Sequence, residues 1–419
     1  MIKIIKSLVY PVILSNVIFL FFAVEIRSEG VEMNGFLEID KRFDINKGVS
    51  NGDTYGKLKL EAKANLSPDI FSLISLEFRY YDFPVLETLP SEGEVESNYP
   101  VDLRLGEAYI ELDQFIWDNL DLKLGKQRIA WGAADEFNPT DNLNPDDFTD
   151  SLDFGAKVPT LALKGDYYLG DYTITGVWLP FFEPILLPRG GALSLLGQVP
   201  DRIELPAKTL DKGMFALKIS GMAFNLDYSL SYFKGFDDIP VEFDNSDGLE
   251  MSFPAMQVVG FDFAGEFRSL GFWGEMAMFF PEEVKSGTDV MLSNDSYLKH
   301  TFGVDYTFKN GIYLETQYVH GFFTERGRGN LHDYLIVSVD RKFLNDDLKL
   351  SLGGALEVKD IRGNIQDSYG TGLFPEISYR PTDNVELTLG AFLSDGKKGT
   401  LFGSWKDWDQ VYFKMKVNF

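Results

Sequence analysis

Positively charged side chains recur at alternate positions in two stretches, and a third carries a single arginine. Lys57, Lys59 and Lys63 share one parity, Lys414 and Lys416 share another, and Arg79 stands two residues after Glu77. In an extended chain, side chains two apart point the same way. On neighbouring strands these cations would share one wall that could guide an anionic solute. Glu38, Asp40, Glu61 and Glu77 point to the same region, so a salt-bridged lining is the competing reading and carries more weight.

A second stretch that could carry chemistry runs through Gly125-Lys126-Gln127-Arg128-Ile129-Ala130-Trp131-Gly132, then Asn138-Pro139-Thr140-Asp141 and Asn144-Pro145-Asp146-Asp147. Asn-Pro pairs stiffen a loop by fixing its turn geometry. Trp131 and Gly132 are expected at the outer rim, where an indole suits an interface. Asp135, Glu136, Asp141, Asp146, Asp147, Asp150 and Asp153 stand here against Lys157. Oxygen ligands this dense could hold Ca²⁺, but no spacing matches a dedicated site, which favours a solvated acidic loop. A loop folded into a pore and setting its width is the alternative. The fragment Asp44-x-Asn46-x-Gly48 is too short for a calcium loop.

Catalysis finds little support. The histidines are His300, His320 and His332, and none has metal-ligand spacing. Ser338 and His320 fall on neighbouring predicted strands, which leaves a lipid-active hydrolase as a minor alternative. No phosphate-cradling glycine loop occurs. Neither a cofactor nor a metal is expected.

The elements that must position these residues are strands. Leu58, Leu60, Ala62, Ala64 and Leu66 oppose Lys57, Lys59, Glu61, Lys63 and Asn65. The chain ends on Val411, Phe413, Met415, Val417 and Phe419, alternating with Tyr412, Lys414, Lys416 and Asn418. Alternation of this kind repeats in pairs: 103–112 with 120–131, 160–168 with 172–179, 214–220 with 224–234, 256–267 with 272–280, 297–308 with 312–322, 334–343 with 348–358, and 369–380 with 385–394. With Val31 to Phe43 as the first, about eighteen strands result, each near the ~10 residues a tilted strand needs to cross a bilayer. The connections sort into short and long, which a sandwich has no reason to do and an outer-membrane barrel does. Charges on the second face, among them Glu77, Glu107, Lys218, Asp262, Glu315 and Glu386, need a wet interior, and closure satisfies every edge. Tyr167-Tyr168, Phe279-Phe280 and Phe322-Phe323 fit interfacial girdles. The stretch from Pro180 to Gly213 holds Ile185-Leu186-Leu187 and Ala192-Leu193-Ser194-Leu195-Leu196, which suits a plug in the lumen or packing against neighbouring loops.

Residues 1–28 read as a signal peptide, with Lys3 and Lys6 before the apolar Leu8 to Val24. Residues 29–419 then form a single barrel domain. No other continuous apolar run exists, which excludes a helical membrane bundle. The net charge of −25 argues against nucleic acid and suits loops that meet divalent ions among lipopolysaccharides. The absence of cysteine agrees with an oxidising compartment.

The Gly-basic-Gln strand ending in Trp131-Gly132, with the Asn-Pro loop behind it, resembles a proteobacterial family of uncharacterised outer-membrane channels. That family is itself similar to the alginate-export porins. The tail Gly399-Thr400-Leu401-Phe402-Gly403, then Asp407 and Asp409-Gln410, fits the same resemblance. The resemblance implies a channel in the cell outer membrane for a small or amphipathic solute. Together the signals predict an all-β transmembrane antiparallel barrel with porin-like transport. Lys57, Lys59, Lys63, Glu77, Arg79, Lys414 and Lys416 would line the pore. Gln127, Arg128, Trp131, Asn138, Pro139, Asp141, Asn144, Pro145 and Asp147 would form a rim or constriction motif. Outer-membrane lipid, lipopolysaccharide and the barrel-assembly machinery, the last reading Phe419, are the expected partners. An occluded structural or binding barrel is the main alternative.

Overall fold

A computed structural model describes residues 30–46, 51–81, 85–86, 101–150, 152–153, 155–188, 202–245 and 248–419. The signal segment 1–28 and the apolar Ala192–Leu196 lie outside the described residues. The two-residue alternation becomes eighteen strands. They are β1 (Val31–Asp44), β2 (Asn51–Ser67), β3 (Ile70–Tyr81), β4 (Val101–Leu112), β5 (Leu120–Gln127), β6 (Thr160–Leu169), β7 (Tyr172–Leu179), β8 (Met214–Ala223) and β9 (Leu226–Phe236). The second half comprises β10 (Ala255–Phe267), β11 (Leu270–Pro281), β12 (Tyr297–Thr307), β13 (Ile312–His320), β14 (Asp333–Phe343), β15 (Leu348–Val358), β16 (Tyr369–Thr382), β17 (Val385–Gly396) and β18 (Gln410–Asn418).

Each strand pairs antiparallel with its sequence neighbour. β18 returns to β1 in a register that runs from Phe36 opposite Asn418 to Asp44 opposite Gln410, and this closes the barrel. Closure leaves no strand with an unpaired edge, the condition a sheet must meet in hydrocarbon. At the seam, the backbones of Gly35 and Phe419 exchange hydrogen bonds of 2.9 and 3.0 Å. A Cβ on Gly35 would meet the Phe419 ring at 2.8 Å, so the glycine makes room for it.

The connections sort as expected. At one end they are 68–69, 113–119, 170–171, 224–225, 268–269, 308–311, 344–347 and 383–384; the other end carries every long loop. Phe224 and Asn225, like Arg268 and Ser269, have positive φ at both positions. That is the backbone of a two-residue turn matched to strand twist.

The outward face is apolar along its length. Leu58, Ile74, Phe78, Leu103, Leu124, Phe261, Leu352 and Phe413 project from it, most of them more than a third exposed. An apolar skin of this extent has no stable place in water and suits acyl chains. Tyr168, Tyr172, Phe224, Phe267 and Phe308 are exposed around the short-turn end, as an aromatic girdle. Phe279 and Phe322 depart from that expectation. Phe279 is buried and stacks on Tyr297 with ring centroids 5.0 Å apart, while Phe322 packs against Phe137 at 5.3 Å. Both support loops inside the barrel.

The alternation breaks in β4. Val101, Leu103 and Leu105 face outward, then the register shifts opposite Ile74 and Leu76, and Ile110 is the next exposed apolar residue. A bulge at this point returns Glu107 to the interior parity.

Candidate functional site

The inward faces of β1, β2, β3 and β18 form one wall. Register places Glu38 opposite both Lys57 and Lys416, Asp40 opposite Lys414, Lys57 opposite Arg79 and Lys59 opposite Glu77. The cations of this wall are interleaved with acids. Lys57 lies 3.6 Å from Glu77, Lys59 3.2 Å and Lys63 2.8 Å from Glu61, and Arg79 2.6 Å from Glu77. Lys414 and Lys416 face a cavity of about 520 Å³ together with Glu38, Lys349, Glu376 and Glu386. This wall has a mixed, ion-paired lining.

Loop 128–159 folds into the barrel and is held on two opposite walls. Its first half is gripped by Glu275 on β11, a fully buried carboxylate. Oε1 accepts the amides of Ala133 at 2.5 Å and Ala134 at 2.7 Å; Oε2 accepts the Thr140 amide at 3.2 Å and its hydroxyl at 2.8 Å. Gly132 permits this approach. Its φ is +92°, and a Cβ there would meet Glu275 Oε1 at 2.3 Å. Thr301 Oγ1 donates to the Phe137 carbonyl at 3.1 Å and Gln317 Nε2 to that of Asp135 at 3.1 Å, which extends the contact to β12 and β13.

The second half of the loop crosses to the basic wall. Arg79 donates to Asp147 at 2.7 Å and to Thr149 at 3.2 Å. Arg42, on β1, donates to Asp40 at 2.6 Å and to Asp150 at 2.5 Å. Burial alone would raise the pKa of both loop carboxylates. Arg79 beside Asp147 and Arg42 beside Asp150 outweigh that and hold them below the ordinary carboxylate value. Asp147 and Asp150 are buried and paired, so the expectation of a solvated acidic loop is corrected for them, while Asp135, Glu136 and Asp153 stay exposed. The physical reason is the inward fold, which exchanges water for guanidinium partners.

Asn144 ties the base of the loop. Its Oδ1 accepts the Ile129 amide at 2.7 Å, and its Nδ2 donates to the carbonyls of Gln127 at 3.1 Å and Val158 at 3.0 Å and to Thr160 Oγ1 at 3.0 Å. One side chain thus closes both ends of the excursion. Gln127 is buried and donates to the Ala162 carbonyl at 3.0 Å. Arg128 donates its amide to Glu107 at 2.9 Å and its guanidinium to the Gly155 carbonyl at 3.1 Å. The Asn138 carbonyl accepts from the Asp141 amide at 3.0 Å, and the Pro139 carbonyl from Asn142 at 3.0 Å. Pro145 offers its carbonyl to the Val158 amide at 2.8 Å.

Trp131 departs from the expectation of an outer-rim indole. β5 ends at Gln127 because Asn144 captures the chain, and Trp131 turns inward. It is 3% exposed, packs near Val177 and Ala216, and carries Lys218 Nζ 4.2 Å above its ring. Of the apolar run after Pro180, Ile185 is buried with Phe148 of the inserted loop and Met251. That portion packs against neighbouring loops.

A second cavity of about 250 Å³ lies beside the inserted loop, lined among others by Arg128, Glu136, Asp141, Lys157, Asp238 and Arg326. Desolvation by the inserted loop, reinforced by Asp135, Asp153 and Glu315, pushes Glu136 up to about 7 although the residue keeps contact with water. Burial pushes Asp141 up to about 6 against the pull of Lys157. Lys157 itself pairs with Asp146 at 2.8 Å.

No protein-family model matches the chain, and no curated protein matches it. Solved structures do. Pseudomonas aeruginosa OccD3 (OpdP) superposes with a TM-score of 0.54 at 8% identity, covering 93% of this chain and 91% of its own. The outer membrane protein OpdK from Pseudomonas aeruginosa gives 0.53 at 10% identity, over 94% of this chain and 100% of its own. Acinetobacter baumannii OccAB4 gives 0.52 at 11%, over 93% and 98%. The chain has the fold of these barrels. OpdK has also been solved with vanillate.

Sequence reasoning named Arg79 and Asp147 but not their pairing across 68 positions. It missed Arg42, Asp150 as a buried partner, and Glu275. The parity of Arg42 with Asp40 could have placed it on the basic wall; Glu275 carries no local signal that separates it from other inward acids.

Proposed function

We propose that this protein is a porin-like channel of the cell outer membrane that passes a small solute passively, with loop 128–159 setting the width of the lumen. The observation that carries the reading is a closed barrel with an apolar skin, a charged interior, and one loop strapped across that interior. Such a skin suits lipid, and long loops at one end suit the outer surface, where lipopolysaccharide is the natural neighbour. Phe419 at the seam is the residue the assembly machinery would read.

The solute is small and polar, with a mild preference for anions from Arg128, Lys157, Lys414 and Lys416 offset by the interleaved acids. The vanillate seen with OpdK, a carboxylate, agrees with that preference. A resemblance to an outer-membrane channel family similar to the alginate-export porins would rest on the motif around Trp131 and Asn138 and on the tail at Gly399–Gln410.

An occluded barrel is the second reading, favoured by the burial of Trp131, Leu143 and Phe148 within the loop. Single-channel recording in a planar bilayer decides between them: discrete conductance steps support the channel, and silence from folded, inserted protein supports occlusion. A lipid hydrolase gains nothing from the register. Ser338 sits opposite Glu315, and His320 sits opposite Asp333, with which it pairs at 2.8 Å.

A further inference from the structure

The long-loop end holds a cluster that neither the loop nor the basic wall uses. Glu325 and His332 come from loop 321–332, and Glu357 from the end of β15. His332 Nδ1 lies 2.7 Å from Glu357 Oε1 and 3.2 Å from Glu325 Oε1. Tyr334 donates to Glu325 Oε1 at 2.6 Å and approaches Glu357 Oε1 at 3.3 Å. One imidazole nitrogen and one oxygen of each carboxylate therefore lie within 4.8 Å of one another. We propose that Glu325, His332 and Glu357 form a binding site for a first-row divalent transition ion of the Zn²⁺ class.

Three observations support the assignment. First, bonds of about 2.0–2.1 Å in a tetrahedral site place ligand atoms about 3.3 Å apart; Nδ1 already stands 3.2 Å from Glu325 Oε1, and Glu357 Oε1, at 2.7 Å, has only to move out by about half an ångström. Second, the other oxygen of each carboxylate is held by backbone. Glu325 Oε2 accepts the amides of Phe322 and His332, each at 2.9 Å, and Glu357 Oε2 accepts the Phe402 amide at 3.2 Å, while the ligand oxygen Glu357 Oε1 is itself aimed by the Leu401 amide at 2.8 Å. Outer partners of this kind aim ligands in metal sites. Third, two carboxylates, one of them fully buried, share a single imidazole. An ion of charge two balances them, which a neutral imidazole does not. Imidazole with carboxylate selects Zn²⁺ and its neighbours over Ca²⁺ or Mg²⁺.

Binding takes the neutral tautomer with its proton on Nε2, so that the Nδ1 lone pair faces the ion. The ion would join loop 321–332, β15 and the turn Leu401–Ser404, whose amides cap Glu357. It would also brace the inserted loop, because Phe322 meets Phe137 at 5.3 Å and Phe323 meets Phe148 at 4.9 Å.

The test uses the full chain refolded in detergent, stripped with chelator and titrated with ZnCl₂ by calorimetry. One saturable site per barrel is expected. It should be lost in His332→Asn and Glu325→Gln, weakened roughly 10-fold in Tyr334→Phe, and kept in His320→Asn, whose imidazole meets a single carboxylate. Absence of saturable binding, or binding that survives His332→Asn in a folded barrel, overturns the proposal. Should the variants fail to fold, Cu²⁺ loaded on the unaltered chain is read by electron paramagnetic resonance. Splitting from one nitrogen supports the site, and a spectrum without nitrogen coupling refutes it.

Discussion

The inserted loop is held at two places by opposite chemistry. At Glu275 the barrel supplies one buried carboxylate and the loop supplies three amides and a hydroxyl. At Arg42 and Arg79 the barrel supplies guanidinium groups and the loop supplies Asp147 and Asp150. The first anchor is a charge solvated by dipoles, with no cation among its hydrogen-bond partners. The second consists of ion pairs removed from water. Both satisfy buried polar groups, but they fail differently. An amide cradle loses hydrogen bonds one at a time, whereas an ion pair that loses one member strands a buried charge.

The largest effect is therefore expected at the ion-paired anchor. Arg79→Ala leaves Asp147 buried beside Glu77 with its main counter-charge gone, at a cost of about 3–5 kcal/mol. Combined with Arg42→Ala, it should release the second half of the loop. Single channels should then show larger and noisier conductance, and protease added to the outer face should cut between Asp146 and Gly155. Unaltered conductance and protection in a folded barrel would mean that the loop is held by apolar packing around Phe148 instead.

The amide cradle should respond less, and in two grades. Glu275→Ala strands four donors, and each unsatisfied group costs about 1–3 kcal/mol. Glu275→Gln keeps an acceptor for one pair of donors, turns an NH2 toward the other pair and loses the charge, a difference of about 1–2 kcal/mol on the same scale. Urea unfolding in detergent should rank the chains as unaltered, then Gln, then Ala. If Gln proved as damaging as Ala, the loop would need both carboxylate oxygens as acceptors, and one would not serve.

Much of the barrel is legible in the residues, and the loop anchors are not. Alternation in β2, β3 and β18 states which side chains face inward, and sorted turns state the topology. Both signals are local, with a period of two. The bulge in β4 flips parity between Leu105 and Glu107, and a strict alternation passes over it. The pairing of Arg79 with Asp147 and the capture of loop amides by Glu275 join residues 68 and more than 130 positions apart. No local rhythm encodes them. Trp131 shows the same limit: its sequence context suits a rim, and Asn144, thirteen residues on, turns it inward. The cluster of His332 with Glu357 was missed because its ligands come from a loop and a separate strand.

Acidification should sharpen the contrast between the walls. Desolvation lifts Glu136 to about 7 and Asp141 to about 6, so both are deprotonated at pH 8. A carboxyl whose folded pKa exceeds its unfolded one binds more protons when folded. Stability then falls as pH rises from the unfolded values near 4 toward 7, and it is regained on acidification through that window. Between pH 8 and pH 5 the loop should become steadier, and the cavity beside it should shift toward net positive charge from Arg128, Lys157 and Arg326. Anion preference should rise over the same range. Glu136→Gln combined with Asp141→Asn should flatten both trends, and an unchanged pH profile in that variant would assign the response to other groups.

The smallest effect belongs to the basic wall itself. Lys59 and Lys414 stand among Glu61, Glu77, Glu38 and Asp40, and ion pairs open to water contribute about 0–1 kcal/mol. Changing both lysines to Gln should leave the barrel and its loop intact, because Arg42 still pairs with Asp150 when the more distant charge of Lys414 is gone. What should change is the field in the lumen, which acts on a passing ion within a Debye length of about 10 Å at 0.1 M salt. The reversal potential under a KCl gradient should move toward cation preference by a few millivolts, and the shift should fade as the salt on both sides is raised. A potential that does not move at low salt would mean that the paired acids already cancel this wall. Selectivity would then rest with Arg128, Lys157 and Arg326 beside the inserted loop, and the same measurement on Lys157→Gln would show the larger shift.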